Sequence, residues 1–300
     1  MRIRKSLFLI LFVLGGLFFL LSCKNLAANK DIGYDLSNPY LTLVLPDTLR
    51  EISGIALVDS STIACIQDEN GILFLYDIHQ NRIKKQFTFY NNGDYEGICL
   101  KDTSIFVLRS DGALFEISNY ESDNVHVTPY PTQIQGSNNE GLCYDKVHDR
   151  LLIARKNKIA KGKAFKNKRA IYEFNLKTRL LNRDPVFEFD VDSIKKIASK
   201  EKIELPTKSK KKGKVAEPII RFASSEIAIH PITKKLFLLS STDHLLFIID
   251  EHGTIEHIEK LNQTIFKQPE GITFQENGDI LITNEGQNKN STLLGFKYNN

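Results

Sequence analysis

The sequence predicts an all-β fold: a five-bladed β-propeller closed by an N-terminal strand, with six blades as the alternative. Three observations point there. A short phrase recurs as Tyr95-Glu96-Gly97-Ile98, Asn139-Glu140-Gly141-Leu142, Ser225-Glu226-Ile227-Ala228 and Pro269-Glu270-Gly271-Ile272, with Ile52-Ser53-Gly54-Ile55 as a copy carrying Ser in place of Glu. From Ser53 onward the copies are 43, 44, 86 and 44 residues apart, and a period in the low forties with β pattern is one propeller blade per copy. Secondly, each interval breaks into short apolar strands separated by turn residues. Thirdly, one strand, 40–45, has no blade of its own, and the last blade is one strand short.

The elements follow in order. Residues 40–45 form a strand stopped by Pro46. Blade one is expected to use 54–58, 62–67, 72–77 and 82–89, with Asn70-Gly71 turning the chain between its second and third strands. Blade two starts at Glu96 and continues with 104–108, 113–117 and 125–130, with Asp111-Gly112 at the same inner turn. Blade three starts at Glu140 and uses 151–155, 170–175 and 185–190. Blade four starts at Glu226 and uses 235–239, 245–250 and 255–261; blade five starts at Glu270 and supplies only 279–283 and 293–298. The long step could hide a sixth blade. Yet 140–190 already provides four strands, and 193–217 is Lys-rich without alternation, so it reads as a helix-forming or flexible insert. Pairing 40–45 with blade five completes that blade and removes two exposed sheet edges.

The N-terminus lies outside this fold. Arg2, Arg4 and Lys5 precede an apolar run over 7–21 that ends Leu20-Leu21-Ser22-Cys23. That is the outline of a secretory signal, short for a membrane span. Its end resembles the lipobox of bacterial lipoproteins, which implies cleavage before Cys23 and a lipid on its thiol; an uncleaved signal anchor is the alternative. The expected organisation is therefore a signal peptide at 1–22, a polar tether at 23–39 and a propeller at 40–300. This places a monomeric domain in the cell envelope, on the periplasmic or outer-surface side of a membrane. Cys65, Cys99 and Cys143 sit inside apolar strands and are expected as buried free thiols; there is no CxxC and no zinc spacing.

The formal net charge of +4 conceals a strong asymmetry. Residues 155–169 hold eight Lys or Arg and no acid, and 195–214 hold nine Lys against Glu201 and Glu204. Without the signal peptide the chain carries +1, so everything outside these two segments carries −14. Propeller topology puts both basic insertions, 155–169 and 193–217, on the face where inner strands begin. An anionic ligand or a protein partner at this basic rim is one expectation; a solvated mobile loop is the other. Nucleic acid is not expected, because the chain is exported and the loops offer only Phe165 for stacking.

The phrases Leu49-Arg50-Glu51-Ile52-Ser53-Gly54-Ile55, Asp94-Tyr95-Glu96-Gly97, Asn138-Asn139-Glu140-Gly141-Leu142 and Pro269-Glu270-Gly271-Ile272 with Asn284-Glu285-Gly286 make the chain resemble the SdiA-regulated family of bacterial exported, NHL-repeat-like β-propellers. The resemblance covers roughly residues 40–300 and implies five blades and a bound calcium. The two basic insertions depart from it.

Glu96, Glu140, Glu226 and Glu270 begin the innermost strands of four blades, so ring closure would set them around one channel mouth. Two carboxylates about 7 Å apart repel by roughly 2 kcal/mol at an effective dielectric near 20. A ring can shed that repulsion by protonation, by Lys or Arg pairing, or by a metal. Hard oxygens suit Ca²⁺, with Ser53 as a fifth, weaker position. The structural alternative is that each Glu accepts backbone N–H bonds and fixes a blade crossing. Asp68, Glu69, Asp111, Asp243 and Glu285 sit in turns on the same face, where acids are also ordinary turn residues. Catalytic motifs such as GxSxG and HExxH are lacking, and the seven His are scattered and read as surface groups. The expectation is a calcium-binding scaffold or binding module; the alternative is a calcium-dependent hydrolase of a phosphoester or lactone at the channel mouth, by analogy of fold alone.

Overall fold

In the computed structural model the described residues are 32–134, 138–208 and 217–299. The predicted signal peptide, Cys23 and the tether up to residue 31 lie outside them, as does 209–216 of the second insertion.

Among the described residues the strands form five antiparallel blades and one two-stranded ribbon, Thr207–Lys208 with Glu217–Pro218, inside the second insertion. Blade one is Ile52–Leu57, Thr62–Gln67, Ile72–Asp77 and Arg82–Thr88; blade two is Tyr95–Lys101, Ser104–Arg109, Ala113–Ser118 and His126–Pro131. Blade three is Asn139–Asp145, Arg150–Arg155 and Lys168–Asn175. Its outer position is shared by Leu180–Leu181 and Phe187–Asp190, both paired to Lys168–Asn175. Blade four is Glu226–Ile229, Leu236–Ser240, Leu245–Ile249 and Ile255–Lys260. Blade five is Pro269–Phe274, Ile280–Asn284 and Thr292–Phe296, completed on its outer edge by Leu41–Val44. The inner strand of blade three packs directly against that of blade four, and the ring closes from blade five to blade one. The long step in the repeat is therefore an insertion, and the blades number five.

Strand composition follows position. Inner and middle strands are covered on both faces, so they read as near-continuous apolar runs; Leu236–Ser240 and Leu245–Ile249 are buried throughout. Outer strands face solvent on one side, and Arg82–Thr88 alternates exposed and half-buried residues over its length. Apolar side chains pack between blades. Ile66, Leu75, Ile98 and Val107 fill the space between blades one and two, and Phe106, Leu108, Leu142 and Ile153 that between two and three. An aromatic group of Tyr34, His230, Phe237, Phe274 and Tyr298 closes blade four on blade five, with ring centroids 4.6–6.2 Å apart. His230 is thus no surface group: it is fully buried, its Nδ1 accepts from the Ile232 and Thr233 amides, and burial pushes its pKa down to about 4. Cys65, Cys99 and Cys143 are buried free thiols.

The insertion after blade three opens with a helix, Val191–Lys200. Asp190 caps it by accepting from the Asp192 and Ser193 amides, and Val191, Ile194 and Ala198 bury one face beside Phe189 and Phe222. The chain enters the propeller on the face of the turns between first and second strands. There the Tyr34 hydroxyl donates to the Gly278 carbonyl, and the Asn299 amide donates to the Gly33 carbonyl. The inner strands begin at the opposite face.

The glycines of the repeated phrase set how closely blades approach. A Cβ on Gly97 would lie 2.7 Å from the Glu140 carbonyl oxygen and 2.8 Å from the Leu142 Cβ, and one on Gly141 would lie 3.0 Å from the Ile227 side chain. Blade four carries Ile227 where the other copies carry Gly, and that side chain fills the space Gly141 leaves. Gly97→Ala is expected to destabilise the propeller by about 1–3 kcal/mol through overpacking against backbone, read from the midpoint of urea unfolding; an unchanged midpoint would show that the blades can move apart freely.

Candidate functional site

The recurring acids owe their position to a backbone irregularity. The ladder register shifts between Ile52 and Gly54, Tyr95 and Gly97, Asn139 and Gly141, and Pro269 and Gly271. Ser53, Glu96, Glu140 and Glu270 are therefore the extra residues of β-bulges, which re-aim a side chain out of strict alternation. Blade four has no such shift, and Glu226 pairs in register with Leu239.

Glu226 accordingly differs from the rest. It is fully buried, and its Oε1 accepts from the Leu142 amide of blade three at 2.6 Å and from its own neighbour Ile227 at 2.9 Å. A Cβ on Gly54 of blade one would meet its Oε2 at 3.2 Å, so the carboxyl group reaches across the channel. Burial raises its pKa well above the carboxylate range, while the amides of Ile227, Leu142 and Ile98 pull it down. Its Oε2 still makes no hydrogen bond of normal geometry. Ser53 is also engaged, donating through Oγ to the Tyr95 carbonyl of blade two at 2.7 Å. Both residues latch one blade to another.

At the channel mouth Glu140 pairs with the Lys156 ammonium, and Glu96 and Glu270 lie near enough for their charges to act on it. Lys156 Nζ lies 2.8 Å from Glu140 Oε2, and Glu140 is almost completely buried. Burial would lower the Lys156 pKa, but the charges of Glu140, Glu270 and Glu96 outweigh it and raise the pKa. Burial pushes the Glu96 pKa up, and repulsion from Glu140 and Asp94 pushes it further. Burial likewise raises Glu140, which Lys156 opposes and Glu270 and Asp94 reinforce. Glu270 is raised by burial against Lys156, Ser225, Gln268 and Ser241. The acid field extends outward. Glu285 is raised to about 7 by burial together with Glu270, Asp68 and Glu51, and Asp68 to about 6 by burial with Glu51, Glu69 and Asp94. Two other turn acids serve the backbone: Asp243 accepts from the Arg221 and Phe222 amides, and Asp111 pairs with Arg109 and accepts from the Ala113 amide.

Lys156 and Asp94 were missed as site residues by sequence reasoning. Register alone does not reveal Lys156: Arg155 pairs with Asn139, so in the antiparallel ladder Lys156 falls opposite Asn138, and only its long side chain reaches back to Glu140. Asp94 directly precedes the repeated phrase.

The mouth suits a cation in its donor chemistry. Asp68 Oδ1, Ser224 Oγ, Thr283 Oγ1 and Asn284 Oδ1 are buried oxygens without a hydrogen-bond partner, and all are hard donors of the kind Ca²⁺ takes. Among the described residues, however, no three His, Cys, Asp or Glu side chains form a metal-binding cluster. The positive charge among the glutamates is that of Lys156.

A family model described as SdiA-regulated matches residues 93–288. The chain belongs to the SdiA-regulated family. No curated protein sequence matches it. Among solved structures, glutaminyl cyclase of Myxococcus xanthus is similar with a TM-score of 0.56 and 11% identity, over 87% of this chain and 95% of that one. A streptogramin B lyase is similar at a TM-score of 0.44 and 13% identity over 81% of this chain, which spans 65% of that lyase. The WD40 propeller domain of Doa1 is similar at 0.44 and 13%, over 88% and 97%. At these identities the cyclase likeness shows the fold alone.

Two outcomes test this geometry. Glu226→Ala leaves the Leu142 and Ile227 amides without their acceptor and opens a void, so it should cost about 2–4 kcal/mol, whereas Glu226→Gln should cost clearly less; equal losses in urea melts would remove the latch role. The second concerns pH. Asp68 and Glu285 have folded pKa values above their unfolded ones, so their contribution to stability is complete below the ordinary carboxylate range and is lost as pH rises to about 6 and about 7 respectively. In chelator, the thermal midpoint should fall across that window, and Asp68→Asn/Glu285→Gln should flatten the fall; a profile identical in the variant would contradict the assignment.

Proposed function

We propose that this propeller is an exported, lipid-anchored binding module that holds a cation, calcium, at the acidic mouth of its channel. The observation that carries the reading is the Lys156–Glu140 pair at 2.8 Å at the channel mouth, within the electrostatic reach of Glu270 and Glu96 from two other blades. The raised pKa values of the three glutamates reflect carboxylates crowded and desolvated beyond what one lysine neutralises. A divalent ion in the place of that ammonium supplies one more positive charge. Glu96, Glu140 and Glu270 are the residues that would hold it. Glu226 and Ser53 are spent on backbone latches, so this reading leaves them out of the ligand set proposed on sequence grounds.

The basic start, the apolar run and Cys23 support the anchor. Nine residues lie between Cys23 and Gly33, and the ten steps reach at most about 35 Å. Gly33 lies on the face opposite the mouth, so the tether joins the propeller away from its acidic residues.

Calorimetric titration with Ca²⁺ is the test. The wild-type chain should bind one ion, Glu96→Ala/Glu140→Ala should lose it, and Lys156→Met should bind about tenfold more tightly or better, because a competing charge is gone. Absence of binding by both the wild type and Lys156→Met would sink the proposal.

A further inference from the structure

The two basic segments are far apart in sequence but joined in space. The Val191 amide, at the start of the helix, donates to the Asn167 carbonyl at 2.8 Å, and Asn167 Nδ2 donates to Asp192 at 2.6 Å. Lys168 pairs with Glu188 at 3.0 Å and with Asp190 at 3.7 Å, which uses the acids at this junction. Beyond it, Lys158, Lys161, Lys163 and Lys166 are exposed, and none makes an ion pair with another described residue. On the helix, Lys196 and Lys200 are exposed four residues apart, hence on one face. From its start beside Asn167 the helix carries Lys196 and Lys200 outward, the latter by about 14 Å at 1.5 Å per residue. Packing of Val191, Ile194 and Ala198 into the core fixes the helix, so the row is held by the fold along that part of its length.

We propose that this wall on blade three binds a linear anionic polysaccharide, one bearing carboxylates or phosphates along its chain. An extended row of unpaired lysines matches a polymer with repeated charges better than a single small anion, since each contact releases a counterion. Phe165 is the one aromatic side chain in the loop, so the wall lacks the stacking platforms that bases require. The chain enters at the opposite face, so on the anchoring reading the tether and the wall leave the propeller on different faces. To that extent the choice of a polysaccharide over lipid headgroups rests on the anchoring reading.

The test uses fluorescently labelled polygalacturonate with the full chain in chelator, so that calcium takes no part. Anisotropy should show binding whose affinity falls linearly with salt on logarithmic axes, and Lys158→Glu/Lys161→Glu/Lys163→Glu/Lys166→Glu should weaken it by tenfold or more and reduce the salt slope. The same variant should keep the thermal midpoint and the calcium titration of the wild type, since its four positions are exposed and outside the mouth. Equal affinity in variant and wild type, or binding confined to anionic phosphatidylglycerol vesicles or duplex DNA, would overturn the proposal. Failure here with intact calcium binding leaves the mouth reading standing, and the reverse result separates them equally.

Discussion

The structure depends on how closely five inner strands can approach one another around the channel. Packing at that distance excludes side chains, and Gly97 and Gly141 show it: a Cβ at either would press on the next blade. It also leaves inner-strand amides pointing into a space without water's full complement of acceptors, where an unpaired donor is costly. Glu226 answers that need by accepting from Leu142 and Ile227 inside the channel. The same crowding produces the bulges. Where the ladder slips by one residue, Ser53, Glu96, Glu140 and Glu270 are aimed away from the blade stack. One geometric constraint thus yields both the latch and the mouth.

Carboxylates gathered this way form an unstable arrangement by themselves. Repulsion and desolvation act in the same direction, and both raise the pKa values of Glu96, Glu140 and Glu270. The fold offsets part of this with Lys156, delivered by the second strand of blade three as it leaves the sheet. A single ammonium opposite several carboxylates leaves the mouth short of positive charge, and buried oxygens such as Asp68 Oδ1 and Asn284 Oδ1 remain without partners. These are the physical terms in which the proposed cation would stabilise the molecule: it would remove repulsion that raised carboxyl pKa values otherwise relieve.

Most of the architecture was legible because the repeat and the strand count are independent signals that agree. The closing strand was readable from Leu41–Val44 having no blade of its own, and it pairs with Thr292–Phe296 as that argument requires. The helix Val191–Lys200 was less legible, since its lysines hide a narrow apolar stripe of Val191, Ile194 and Ala198. In the site, four glutamates look equivalent in sequence, yet Glu226 performs a different task. The difference turns on register: Ile227 replaces Gly, the strand runs without a bulge, and the side chain stays in the channel. His230 was misread for a related reason. Its neighbours in sequence are turn residues, while the aromatic rings that bury it come from other segments.

Charge segregation ties the mouth to the wall beside it. Lys156 and the free lysines belong to one loop, but only Lys156 is close enough to the sheet to enter the acid cluster; from Lys158 outward the loop points into solvent. Burying further lysines in the mouth would cost the desolvation of each ammonium for attraction already shared among few carboxylates. The basic residues therefore stay outside, and the acidic body does not collapse its own counter-charge. On the two readings proposed above, a cation that displaces Lys156 returns one ammonium to the loop, where it adds to the row facing a polyanion. Linkage requires the effect to be mutual: a polyanion that draws Lys156 outward must favour the cation by the same factor. The element that can occupy two positions is the side chain of Lys156, and its competition between Glu140 and an external anion is what would couple the two sites.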